Sequence, residues 1–244
     1  MIRALFIAIT FLTRVPLPAR EVQPSQFGAA TGCFPAVGFA IGAIGFALYG
    51  ACHDWLGLPL TGCLIVAYSA LITGGLHLDG LADWFDALGG GRGERTRMLE
   101  IMRDSRIGAH GAVALVIVLG TRLVAWQSLP PSAAAMALLG APAVARCSAV
   151  WLLWALPSAR SDGLAHGFTQ HVRLRHVVFA SATLAFGLIW FGPPVTWPLL
   201  LGTLAAGSIG VWAQRRLGGS TGDVIGTAIE LAETLFLVGC TRPV

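Results

Sequence analysis

Lysine is absent from the chain: all 16 basic residues are arginine. Charge of either sign is scarce, with Asp, Glu, Lys and Arg at 11% of 244 residues, against about 25% in an ordinary soluble domain. Hydrophobic residues make up 55% and the mean hydropathy is +0.73. A soluble globule of this size has too little interior to hide so much apolar surface, so lipid is the expected solvent for much of it. Long basic runs and basic–aromatic stripes are missing too. The net charge of +4 and pI near 9.1 therefore lack the footprint of a nucleic-acid partner. Paired cysteine motifs are also lacking. Cys33, Cys52, Cys63, Cys147 and Cys240 are odd in number, include no C-x-x-C and lie in or beside apolar segments. They read as small buried hydrophobes, not as a disulfide framework or metal site. Walker A and H-E-x-x-H motifs do not occur.

What is present is a series of apolar stretches. The N-terminal MIRALFIAITFLTR has a basic residue followed by an apolar run. Arg14, Pro16 and Pro18 follow without an A-x-A site, so no cleavage is expected. The run is too short for a hydrocarbon core of about 30 Å and reads as a short interfacial helix. Seven stretches, at about 28–52, 59–78, 108–128, 133–156, 176–191, 197–213 and 223–240, are long enough or nearly so to cross a bilayer. The expected fold is an all-α, polytopic integral membrane helix bundle with about seven transmembrane helices, forming one domain over 1–244. Small residues such as Gly38, Gly42 and Gly45 would let these helices pack closely.

Arginine placement predicts orientation. Arg3, Arg14 and Arg20 precede the first stretch, and Arg92, Arg95, Arg97, Arg103 and Arg106 lie between the second and third. Arg160, Arg173 and Arg175 follow the fourth, and Arg215 and Arg216 follow the sixth. On the opposite side stands only Arg242, with Arg122 and Arg146 inside stretches. The positive-inside rule puts the N-terminus and the connections at 79–107, 157–175 and 214–222 in the cytoplasm.

The acidic residues are concentrated. Asp79, Asp83, Asp86, Glu94, Glu100 and Asp104 supply half of the chain's 12 within one stretch. In Gly74-Gly75-Leu76-His77-Leu78-Asp79-Gly80-Leu81-Ala82-Asp83-Trp84-Phe85-Asp86, the aspartates stand at i, i+4 and i+7 on one helical face. Their repulsion, worsened near a bilayer, would be relieved by a hard divalent cation, and Mg²⁺ suits carboxylate, water and phosphate oxygens. A solvated acidic face with arginine partners is the alternative. Residues 99–111 read as a helix stopped by glycine, with Glu100 and Asp104 at i, i+4 and Arg103 and Arg106 at i, i+3. Arginine forks bind phosphate; intrahelical ion pairing explains the stretch equally well.

Gly218-Gly219-Ser220-Thr221-Gly222-Asp223 has phosphate-loop character, its glycines letting backbone N–H groups approach an anion. Glu230 and Glu233 follow inside an apolar helix. Their cost there requires arginine, metal or a polar substrate, and Arg122 and Arg146 are the intramembrane cations available. His77, beside the acidic motif, is a candidate ligand, base or hydrogen-bond donor.

Together these stretches resemble the cobalamin synthase family, the adenosylcobinamide-GDP ribazoletransferases. The matching residues are Phe11-Leu12-Thr13-Arg14-Val15-Pro16, Gly74 to Asp83, Arg103-Asp104-Ser105-Arg106-Ile107-Gly108, and Gly218 to Asp223 with Glu230 and Glu233. They run in the family's order over nearly the whole chain. Trp84 and Phe85 stand where the family usually has small residues, which bears on substrate packing. The resemblance implies a bacterial inner-membrane enzyme joining adenosylcobinamide-GDP to α-ribazole or its 5′-phosphate with release of GMP. It implies Asp79, Asp83, Asp86, Glu100 and Asp104 as Mg²⁺ ligands or their support, and Asp83 or Asp86, beside His77, as proton acceptor. Arg103, Arg106, Gly219, Thr221, Gly222 and Asp223 would then bind substrate. A homo-oligomer is left open. The rival readings are a CDP-alcohol phosphotransferase-like enzyme, whose aspartate-glycine-alanine-arginine order is missing here, and a transporter using Glu230, Glu233, Arg122 and Arg146 as its path.

Overall fold

A computed structural model describes residues 2–17, 23 and 25–242; Pro18 and Arg20 of the arguments above lie outside the described residues. Among the described residues the chain is helical, with one isolated parallel bridge between Ser158 and Ser220. The helices are α1 (Ile2–Leu12), α2 (Ser25–Gly32), α3 (Phe34–Thr73), α4 (Leu76–Gly90), α5 (Arg95–Ile101) and α6 (Ala109–Gln127). Then come α7 (Ala134–Ala155), α8 (Leu164–His171), α9 (Leu174–Leu188), α10 (Thr196–Leu217) and α11 (Gly222–Cys240), with short 3₁₀ turns before α7 and between α9 and α10. Among the described residues, five helical segments are long and apolar enough to cross a membrane: Phe34–Thr73, Ala109–Gln127, Pro131–Ala155, Leu174–Phe191 and Pro193–Leu217.

The 40-residue α3 is not one rod. At Gly57 the backbone leaves helical geometry (φ 71°, ψ 169°), with Pro59 close behind. The Tyr68 hydroxyl donates to Ile41 O at 3.0 Å, although a straight helix would hold these residues about 40 Å apart. The two halves therefore fold back on one another as a hairpin. The first half packs on α7 through small residues: a Cβ on Gly38 would stand 2.5 Å from Pro142 O, and one on Gly42 2.2 Å from Leu138 O. With no hydrophobic drive between helices in lipid, such close approach is what holds them. α7 is almost wholly buried, and α11 packs against α10, α7, α4 and α6.

Several expected boundaries shift. The first stretch is divided at Cys33, between α2 and α3. The second ends at Thr73, because Gly74 (φ 64°) and Gly75 (φ 71°) take left-handed backbone that starts a new helix. His77 and Leu78 thus belong to α4. The sixth runs on to Leu217 with Arg215 and Arg216 in its last turn. The connections are themselves helical, holding α4, α5 and α8. Large apolar side chains such as Trp190, Leu71, Phe186 and Val116 are exposed, as on a surface that meets lipid. Cys63 is exposed as well, a correction to the expectation that all five cysteines are buried.

Candidate active site

Two helices bring three carboxylates together. Gly80 of α4 packs on Asp223 of α11, and the Thr227 hydroxyl of α11 donates to Gly80 O at 3.1 Å. Asp79 and Asp83, on either side of Gly80, then face Asp223 across the crossing. Asp79 is exposed, Asp83 half-buried, and the Asp223 carboxylate mostly covered. Burial and the carboxylates of Asp79, Asp223 and Asp86 push the Asp83 carboxyl up to about 7, opposed by Arg160. An ordinary aspartate titrates near 3.9, so Asp83 exchanges its proton near neutral pH.

Asp86 shares their helix but is turned elsewhere. It is buried and accepts the backbone N–H of Gly108 at 2.7 Å and of Gly111 at 2.9 Å. A negative charge on the orphan N–H groups of a helix start is favourable, so Asp86 fastens α4 to the start of α6. The helix expected across 99–111 ends at Ile101. Asp104 instead turns back on Arg106, accepting its backbone N–H at 3.1 Å and its guanidinium at 2.6 Å. Those bonds hold the Asp104 carboxyl down to about 2. Arg103 donates to both oxygens of Asp162 at 2.8 Å, and Glu100 is exposed on α5. Both arginines of the expected phosphate fork thus carry surface carboxylate partners.

The glycine-rich run before α11 faces the 157–159 segment. The Ser220 N–H donates to Pro157 O and the Ala159 N–H to Ser220 O, both at 2.8 Å. A Cβ on Gly219 would stand 2.3 Å from Pro157 O, so Gly219 serves a close backbone approach. The run also has the G-x-S-x-G spacing of a nucleophile elbow, but Ser220 is fully buried and its hydroxyl lies 3.5 Å from Pro157 O. Thr221 caps α11, accepting the Val224 N–H at 3.2 Å, and donates to Asp223 at 3.1 Å. Of the expected loop, Gly222 and Asp223 remain beside the α4 carboxylates.

Two cations flank this group. Arg160 Nη2 lies 3.5 Å from Asp223 and donates to Leu99 O at 3.1 Å. Arg14 borders the open groove that holds Asp79, Asp83 and Ser105, its side chain lying across Gly74. Among the described residues no carboxylate pairs with Arg14. Sequence reasoning did not place Arg160 at the site, since its position depends on how the 157–163 segment folds back over α5. Arg14 had a signal, the Thr13-Arg14-Val15-Pro16 run that matches the family, but no site role follows from that run alone.

Deeper in the bundle, Arg122 pairs with Glu230 at 2.7 Å and Arg146 with Glu233, while Ser69 donates to Glu233 at 3.3 Å. The intramembrane glutamates therefore meet the two arginines expected for them. His77 is 3% exposed and faces this cluster from α4. Trp84 is buried against Trp212 of α10, with ring centroids 4.9 Å apart, so it anchors α4 and does not face the carboxylates.

The chain was compared with known proteins. Residues 4–241 match the family model described as cobalamin-5-phosphate synthase. A relative from Klebsiella pneumoniae (strain 342) named adenosylcobinamide-GDP ribazoletransferase is 39% identical, covering 98% of this chain and 99% of its own length. Relatives of the same name from Citrobacter koseri and Escherichia coli O17:K52:H18 are 38% and 37% identical, each covering 94% of this chain and 96% of its own length. The chain belongs to the cobalamin-5-phosphate synthase family. No solved structure matches it.

For this synthase-family chain the carboxylates at the α4–α11 crossing offer oxygen donors. Among the described residues no three His, Cys, Asp or Glu side chains converge into a ready-made metal cage. Mg²⁺ usually binds through one or two carboxylates completed by water and substrate phosphates. Asp79 and Asp223, which border one cavity, and the crowded Asp83 fit that mode. Asp86, Glu100 and Asp104 do not join them, for the bonding and exposure given above.

Proposed function

We propose that the chain joins α-ribazole, or its 5′-phosphate, to adenosylcobinamide-GDP and releases GMP. The ribazole hydroxyl oxygen forms a bond to the phosphorus that carries the cobinamide, and that phosphorus loses its bond to GMP. The attacking proton passes to Asp83, whose carboxyl, pushed up to about 7, is matched to accept it near neutral pH. Asp79 and Asp223 would hold Mg²⁺, which would supply charge neutralisation at the diphosphate and polarise its oxygens. Arg14, in the groove with Asp79 and Asp83, and Arg160, beside Asp223, would meet the phosphate oxygens, a task for positioned cations in phosphoryl transfer. Arg103 and Arg106 reach substrate only by exchanging their present partners Asp162 and Asp104. The observation that carries this reading is Asp79, Asp83 and Asp223 brought together at one helix crossing in a chain of this family.

The same reading places the chain in a bacterial inner membrane with seven crossings, counting the α3 hairpin as two and α11 as one, and α1 in the interface. The arginine-rich connections then face the cytoplasm. Labelling of Ser161→Cys from the cytoplasmic side only, and of Pro194→Cys from the opposite side only, tests the orientation. The activity test uses purified full-length protein with adenosylcobinamide-GDP and α-ribazole. GMP release matched by corrinoid product, and lost on chelating Mg²⁺, supports the proposal. Release of CMP from a CDP-alcohol, or substrate movement without GMP, overturns it.

A further inference from the structure

Beneath the carboxylates lies a cavity of about 130 Å³. A single water needs only roughly 10–15 Å³ of such space, so this is no packing defect. Phe11, Phe34 and Phe168, from α1, α3 and α8, line it with ring centroids 4.6 to 5.8 Å apart. Leu153 and Ile229 add apolar surface, and Asp79 and Asp223 border it on the side of the candidate site. His77 lines the same cavity, buried, and its Nδ1 has no hydrogen-bond partner. Nδ1 is closed off from the cavity, so Nε2, which has no hydrogen-bond partner among the described residues either, is the ring nitrogen that can meet an acceptor arriving from outside.

These features select an occupant. The aromatic wall suits a flat, apolar ring system, which stacks or packs edge-on against phenylalanine. A phosphate would meet carboxylates there and no buried cation, and a corrinoid macrocycle is far too large. We infer that the cavity receives the planar bicyclic aromatic base of the nucleoside acceptor. A ring N–H of His77 at Nε2 donates to the base's free ring nitrogen, and the sugar hydroxyl is left at the Asp79–Asp223 border. The inference rests on the transferase reading above and deepens it, making this cavity the determinant of which base is accepted. Phe168 also packs on Phe27, ring centroids 4.8 Å apart, so α2 braces the wall from behind.

The test is steady-state kinetics on the purified full-length protein, with each substrate varied in turn. Ala165→Phe, which adds a ring on the cavity wall, should raise KM for α-ribazole at least tenfold and leave KM for adenosylcobinamide-GDP within twofold. Ile229→Ala, which enlarges the cavity, should shift preference at least fivefold toward an α-riboside carrying a tricyclic base. His77→Phe should raise the α-ribazole KM, and His77→Gln, which keeps an N–H near Nε2, should recover part of that loss. Equal changes in both KM values, or unchanged base preference in Ile229→Ala, would overturn the inference while wild-type turnover left the transferase reading intact. If Ala165→Phe does not fold, Ile229→Ala decides alone. A wild-type protein that releases no GMP sinks the transferase reading itself.

Discussion

Gly80 of α4 lies against Asp223 of α11 so closely that a Cβ on Gly80 would stand 3.0 Å from Asp223 Cα and 3.2 Å from its carbonyl oxygen. Backbone atoms on a packed helix cannot swing aside as a flexible side-chain end can. Gly80→Val should therefore push the helices apart, separating Asp79 and Asp83 from Asp223. Overpacking of this kind costs about 1–3 kcal/mol, so a folded variant should remain. GMP release should fall at least a hundredfold with a modest drop in the unfolding midpoint, and Gly80→Ala should fall in between.

Asp83 and Asp86, three residues apart on one helix, should fail in different ways when changed to Asn. Asp86 accepts two backbone N–H groups at the start of α6, and a hydrogen bond to a charged group is worth about 1.5–3 kcal/mol. Asp86→Asn should lower stability by about that much, read by denaturant unfolding in detergent. Asp83→Asn removes a crowded carboxylate and should leave stability unchanged or raised.

The buried arginine–glutamate pairs predict a third contrast. Glu233→Gln leaves the Arg146 guanidinium, 1% exposed, without its direct ion-pair partner. Breaking one partner of a buried pair costs about 3–5 kcal/mol, whereas apolar replacement of both is often near neutral. Combining Glu233→Met with Arg146→Met should therefore recover much of the stability that Glu233→Gln loses, measured in the same unfolding experiment.

Activity should depend on pH through Asp83. The groups acting on it are Asp79, Asp223 and Asp86, which raise its carboxyl, and Arg160, which lowers it. A proton acceptor must be ionised, so kcat/KM should fall as pH drops through about 7, with bound Mg²⁺ moving the midpoint lower. Asp83→Glu should keep an acid limb at a shifted midpoint. An unshifted limb in that variant would show that another group titrates.

Much of this was legible in the sequence, and the exceptions share a cause. Apolar runs and their arginine flanks marked the helices because lipid imposes length and charge rules on each segment by itself. Glu230 and Glu233 pointed to Arg122 and Arg146 because an apolar helix offers few other partners. Asp86 kept the spacing of Asp79 and Asp83, yet which backbone N–H groups would face it depended on where α6 begins. Helical spacing across Glu100 and Asp104 was misleading, since Asp104 bonds the Arg106 backbone and the helix has already stopped at Ile101. The close contact of Gly219 with Pro157, some 60 residues away in sequence, leaves no local pattern to read. Arg160 and the cavity under the carboxylates arise only from long-range packing.

The most direct test of the account is GMP release by three proteins side by side: wild type, Asp83→Asn and Asp86→Asn, each assayed below its unfolding temperature with and without Mg²⁺. The account predicts Mg²⁺-dependent release by wild type, loss of at least a thousandfold in kcat for Asp83→Asn, and retained turnover in whatever fraction of Asp86→Asn stays folded. Near-normal turnover by folded Asp83→Asn would contradict it.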